Sequence, residues 1–191
     1  MSIALPGFAD PVRDAQGCFR AVLEAMATPG SLHAAGTGLR APEPLDPATA
    51  AVLLTLADAD TPLWLAPDCL PARDWISFHC GASVSDDIAR AAFAVARALP
   101  DLAHLHAGSD EAPEDSATLI LQVRGFGAGK PLRLAGPGLA APAALTIDGI
   151  PENFVAAWQD CHTLYPRGID MILCAGTTLA ALPRSVRITE G

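Results

Sequence analysis

The run Arg124–Lys130, RGFGAGK, is where residue types and spacing first suggest chemistry. Glycines beside a lysine can cradle phosphate, with backbone N–H groups on the oxygens and an ammonium on the charge. Two details break the pattern. The first glycine of a phosphate loop would fall at Arg124, and Pro131 stands where a serine or threonine should be. The flanking segments Ala117–Val123 (ATLILQV) and Pro131–Ala135 (PLRLA) both read as strands. The run is therefore expected to turn a hairpin, with no helix N-terminus aimed at an anion. Gly136-Pro137-Gly138 reads as a tight turn rather than an anion nest. Lys130 is the only lysine in the chain. A solvated, mobile loop is a poor place for a Schiff-base lysine, so no pyridoxal phosphate chemistry is expected there.

The remaining reactive side chains do not converge in sequence. His104 and His106 alternate and His79 stands beside Cys80. A metal needs three or four ligands, and no third is marked. Cys18, Cys69, Cys80, Cys161 and Cys174 are an odd number with no C-x-x-C spacing. They read as reduced, mostly buried thiols, with neither a disulfide framework nor a zinc site. No nucleophile elbow, zinc-protease motif or triad is present. Arg13, Arg20, Arg133, Arg167 and Arg184 have the forked geometry that grips phosphate. Pairing with the excess carboxylates is the stronger reading. No catalytic, cofactor-binding or metal-binding residue is assigned, and no cofactor is expected.

The elements that would position these residues begin with two Asp-Pro pairs. Asp10-Pro11 opens a helix to Pro29-Gly30, with Phe19, Val22, Leu23 and Met26 at core spacing and Arg13, Gln16, Arg20 and Glu24 opposite. Asp46-Pro47 opens a second, almost wholly apolar helix that is expected to be covered on most sides. The turn Asp58-Ala59-Asp60 and Pro62 close it, and Leu63–Leu65 follows as a buried strand. Trp75–Cys80 and Ala92–Ala96 are strand candidates, although the second also fits an alanine-rich helix. Gly108–Ser116 is the most acidic loop. Pro151–Cys161 reads as a helix, Gly168–Cys174 as a buried strand, and Ala175-Gly176-Thr177 as a turn into Leu179–Pro183. Six or seven strands among helices, with two hairpins, give an α/β fold with a mixed sheet in one domain, residues 1–191.

Composition narrows the function classes. A net charge of −9 argues against nucleic acid, which needs a basic face. No apolar run is long enough to span a bilayer, and the opening MSIALPGFADPVR lacks signal-peptide order, so a cytoplasmic protein without membrane partners is expected.

Several segments together resemble one family. They are Asp14–Gly30 (DAQGCFRAVLEAMATPG), Leu53–Leu65 (LLTLADADTPLWL), Ser77–His79 (SFH), Ala117–Val123, Leu132–Gly138 (LRLAGPG) and Tyr165–Ser185 (YPRGIDMILCAGTTLAALPRS). In that order they are similar to the H-subunit family of the bacterial carbon–phosphorus lyase system for phosphonate use. Loops Ser31–Asp46 and Leu99–Ser116 carry little of the likeness. The resemblance implies a mainly parallel seven-stranded sheet flanked by helices, like the large domain of pyridoxal-phosphate-dependent transferases but without the cofactor. It also implies a homodimer in isolation, and a cytoplasmic core complex with the G, I and J subunits. That complex attaches phosphonate to the ribose of a purine nucleoside triphosphate, and no catalytic motif is assigned to the H subunit. Two other classes stay open on the residues alone: a free-standing small-molecule transferase, and a ligand-binding module.

Overall fold

Both Asp-Pro pairs open helices, as expected. In the computed structural model, which describes residues 4–191, α1 spans Pro11–Ala27 and α2 spans Pro47–Leu56. The first three residues of MSIALPGFADPVR lie outside the described residues. The Asp10 side chain accepts from the Arg13 N–H at 3.1 Å, satisfying one donor that the first turn leaves free. α2 ends before Pro62. The following turn closes on itself, with Asp58 accepting from the Asp60 N–H at 3.0 Å and its carboxylates exposed. It is the solvated turn that such residues most often form.

Among the described residues, ten strands form two sheets. β1 (His33–Ala34), β2 (Leu63–Leu65), β3 (Val84–Ser85), β4 (Phe93–Ala96), β5 (Thr118–Gln122), β8 (Asp170–Ala175) and β9 (Thr178–Leu182) make a seven-stranded sheet in the order β1-β9-β8-β5-β4-β2-β3. The pairings β3–β2, β2–β4, β4–β5 and β5–β8 are parallel, and β8–β9 and β9–β1 antiparallel. The sheet is thus mixed and mainly parallel. Leu119–Gln122 and Met171–Cys174 are buried without alternation, the pattern of strands covered on both faces. Ala92–Ala96 resolves in favour of a strand, and Leu179–Pro183 pairs back on β8 through the expected turn.

The glycine-rich segment corrects the sequence reading. It is not a loop joining β5 to a return strand. Gly125–Ala135 is one long strand, β6, that leaves the main sheet and pairs with β7 (Ala143–Asp148) and β10 (Arg187–Glu190) in a separate sheet ordered β10-β6-β7. The ladder shifts between Phe126 and Lys130, a bulge that glycine accommodates. Gly129 has φ +91°, and a Cβ there would lie 2.5 Å from the Ile147 carbonyl oxygen.

A second correction concerns Trp75–Cys80. This stretch is helical, within α3 (Arg73–Cys80), and ends at Gly81 in the left-handed region with φ +71°. Trp75 and Ile76 are buried, and the Trp75 indole N–H donates to the Leu5 carbonyl at 3.0 Å. The fourth helix, α4 (Phe154–His162), packs on the smaller sheet, where the buried Trp158 donates to the Val186 carbonyl at 2.8 Å.

The core face of α1 is also shifted. Its buried residues are Cys18, Ala21, Val22 and Ala25, whereas Phe19 and Leu23 are 48% and 52% exposed. α1 packs against α2 and β9, both rich in alanine, so small side chains sit at the contact and the large ones point outward. Among the described residues, no helix is long and apolar enough to cross a membrane.

Candidate functional site

Each reactive side chain singled out in the sequence now has a place. The five cysteines are free. Burial pushes the Cys69 thiol up to about 12 and the Cys80 thiol up to about 11, with the Asp68 carboxylate adding to the first. Burial likewise raises Cys18, Cys161 and Cys174. These are poor nucleophiles at neutral pH, since the thiolate is the reactive form. His79 bonds the Leu5 carbonyl at 3.0 Å and His106 the Asp115 carbonyl at 3.0 Å. Among the described residues, no three His, Cys, Asp or Glu side chains could hold a metal together.

The arginines divide into two groups. Arg184 lies against Asp170 at 2.5 Å and also donates to the Pro113 carbonyl, and Arg167 pairs with Asp110 at 3.0 Å. For these two, pairing with carboxylates was the right reading. Arg13, Arg20 and Arg133 form no ion pair among the described residues. Lys130 is neither in a loop nor free. Its Nζ donates to the Glu152 carbonyl at 2.9 Å and lies 3.1 Å from Glu190 on β10, tying the edges of the smaller sheet. Gly136-Pro137-Gly138 is a tight turn, closed by the Leu139 N–H on the Gly136 carbonyl and pressed on the end of α1.

The sequence reading missed a polar knot at the carboxyl end of β5, the edge where parallel sheets usually present ligand sites. Gln122, buried, accepts from the Asp46 N–H at 2.7 Å and the Thr49 hydroxyl at 3.1 Å, and donates to the Pro44 carbonyl at 3.0 Å. The Asp46 carboxylate accepts from the Gly176 N–H at 2.8 Å. Both side-chain polar atoms of Gln122 are thus spent on holding the start of α2 and the segment before it, and Asp46 carries the link on to the β8–β9 turn. The signal was available as a lone glutamine in the apolar run ATLILQV. Beyond β2 and β4, Asp68 and Arg97 face each other at 3.9 Å.

Open space lies elsewhere. One cleft of about 610 Å³ runs along α4, between Ala156, Ala157 and Cys161 on the helix, with Leu164 just beyond it, and Leu99, Leu102 and Leu105 opposite. A groove of about the same volume, about 610 Å³, lies between α1 and the Gly36–Arg40 loop. A smaller hollow of about 380 Å³ sits before β2 and β4, near Arg90 and His106. None brings together an activated nucleophile, a base and an oxyanion site, the set a reacting centre needs.

The architecture is a mainly parallel α/β sheet with a structural polar knot at its carboxyl edge. The sequence pattern of the family described as bacterial phosphonate metabolism protein (PhnH) matches residues 6–189, and the chain belongs to that family. It is similar to the alpha-D-ribose 1-methylphosphonate 5-triphosphate synthase subunit PhnH of Rhizobium meliloti (strain 1021), 37% identical over 186 residues, covering 95% of this chain and 93% of the relative. It is also similar to a putative C-P lyase subunit protein, HtxG, of Stutzerimonas stutzeri, 38% identical over 81 residues, 42% of each chain.

Proposed function

We propose that this chain is a noncatalytic, assembling subunit of the carbon–phosphorus lyase core complex in phosphonate catabolism. It would support formation of α-D-ribose 1-phosphonate 5-triphosphate from a purine nucleoside triphosphate and a phosphonate. The observation that carries the reading is 37% identity, over 95% of the chain, to a protein named as a subunit of the corresponding synthase. Two features of the fold support it. Burial raises the pKa of all five cysteine thiols, which disfavours the reactive thiolate. Large apolar side chains stand exposed on α1 and α3, among them Val12, Phe19, Leu23 and Phe78, as association surfaces require.

The proposed partners are the G, I and J subunits in the cytoplasm, with a homodimer formed by the isolated chain. The chain is taken as one domain with the architecture of a pyridoxal-phosphate transferase large domain that has lost its cofactor. Engagement of Lys130 by Glu152 and Glu190 supports the last point, because a lysine held by a carboxylate is a poor imine former. Affinity purification of the tagged chain, co-expressed with the other core subunits, tests the main reading. The three should be recovered in fixed stoichiometry, and recovery of the chain alone would refute it. Sedimentation at tens of micromolar, a range in which ordinary weak dimers persist, should give a dimer. A borohydride-trapped pyridoxal adduct on Lys130 at stoichiometric cofactor would refute the loss of cofactor.

A further inference from the structure

The cleft along α4 is built by a helix that uses two faces. Phe154, Val155 and Trp158 are buried, and the helix packs on the smaller sheet. Asn153, Ala156, Ala157, Asp160 and Cys161 line the cleft instead. Their spacing of i, i+3, i+4, i+7 and i+8 sets them on one face, in a row about 12 Å long. The opposite wall is the segment Leu99–Leu105, whose single helical turn, Leu102–His104, is capped by Asp101. Leu102 and Leu105 are buried there, whereas Leu164, in the lining just past α4, is 40% exposed.

Three observations define the occupant, and charge is the first. The groove beside α1 carries Arg13, Asp14 and Arg40, and the hollow before β2 and β4 carries Arg90, His106 and Asp115. Both mix basic and acidic side chains. The α4 cleft carries carboxylates alone, Asp101 on one wall and Asp160 on the other. Neither stands in an ion pair among the described residues. Arg184, whose charge is felt at Cys161, is spent on Asp170. A cationic partner therefore matches the cleft, and a second copy of a chain with net charge −9 does not. The second observation is the backbone. No lining residue belongs to a strand, so an added strand would find no open ladder edge to pair with. A helix brings its interior backbone bonds already made. The third is shape. Ala156 and Ala157 on α4 and Ala103 opposite keep the walls low, which lets a helix approach closely, and Leu99, Leu102 and Leu105 offer apolar contacts along it.

We propose that the α4 cleft receives an amphipathic, basic helix of a partner subunit, about three turns long. Aliphatic or aromatic side chains of that helix, at i and i+3 or i+4, rest on the leucines and alanines of the cleft. A lysine or arginine reaches each of Asp101 and Asp160. The apolar contacts hold the helix, and the two carboxylates fix its register and reject acidic segments. The proposal rests on the assembly reading, and it names the surface and the partner chemistry that the reading leaves open.

The test has two arms. In the first, the full chain is titrated into the other core subunits purified together, and the apparent Kd is read. Ala156→Trp fills the cleft from an exposed helical position, and Asp160→Lys reverses one carboxylate. Each should weaken binding by about tenfold or more. Asp60→Lys, the same charge change in the solvated turn after α2, should alter it by less than about twofold. Thermal melts verify folding, and a lysine at position 160 suits the C-terminal end of α4, so lost binding there is not a lost helix. In the second arm, p-benzoylphenylalanine replaces Ala156 in the co-expressed complex. Irradiation should cross-link it to a helix of one partner subunit that carries at least two lysines or arginines. A wild-type chain that binds no partner refutes the assembly reading and this proposal with it. Wild-type affinity in both Ala156→Trp and Asp160→Lys overturns the cleft alone, as does an equal loss in Asp60→Lys. A cross-link to a second copy of this chain, to a strand or to an acidic segment overturns it too.

Discussion

α1 and α2 open with the same dipeptide and end up in opposite situations. Asp10 caps α1 itself, whereas Asp46 makes no side-chain cap bond and reaches across to Gly176. All of Ala48–Leu53 in α2 is buried, while α1 buries only Cys18, Ala21, Val22 and Ala25 and leaves Val12, Phe19 and Leu23 in solvent. One helix is part of the core, and the other is a cover that leaves large apolar side chains in solvent beside Arg20 and Glu24. Local sequence decides where a helix starts. What faces it decides which side goes in.

The contrast predicts unequal responses to substitution. Leu53→Ala, at a fully buried site of α2, should cost about 2–5 kcal/mol in urea unfolding, from lost transfer energy and the cavity left behind. A cost below about 1 kcal/mol would mean that α2 is not enclosed. Ala25→Leu, on the small-residue face of α1, should cost about 1–3 kcal/mol by overpacking against α2 and β9. If it stabilises instead, the close α1 contact is misdescribed. Asp10→Ala should cost about 1 kcal/mol through the lost cap, and Phe19→Ala or Leu23→Ala about 0.5 kcal/mol or less. Equal losses at Phe19 and Leu53 would erase the distinction between the two helices.

The smallest effect at neutral pH is proton linkage. Folded Cys69 and Cys80 have pKa values raised from 9.0 to about 12 and about 11, so the native state holds these protons more tightly than the unfolded chain. Their contribution is fully present below about pH 9 and is lost as pH rises through 9 toward 11–12. Stability measured from pH 7 to pH 8.5 should therefore show no thiol-dependent change, and above pH 9 it should fall. Replacing Cys69 and Cys80 with alanine should flatten that alkaline decline. An unchanged decline would remove the thiols as its cause.

Where the sequence was legible, strong local signals coincided. Asp-Pro starts, continuous apolar runs at Leu63–Leu65 and Met171–Cys174, and the Gly176 turn all proved reliable. Trp75–Cys80 was misread because six residues are too few to separate a strand from a short helix, and Gly81, which caps it, was the neglected clue. The glycine-rich run was misread because its partners, β7 and β10, lie later in the chain and loop composition masks a bulged strand. On α1, spacing identified the apolar residues correctly but not which of them face inward. The groove beside α1 was invisible for a related reason: its walls come from α1 and from the Gly36–Arg40 loop, and only the fold sets them side by side.

The central claim is that this chain acts by joining other subunits rather than by chemistry of its own. Its most direct test is the mass of the particle purified through a tag on this chain after co-expression with the G, I and J subunits. A single assembly containing all four proteins in constant ratio is the predicted result. A particle with the mass of the chain or its dimer alone, with the other subunits assembling without it, would contradict the account.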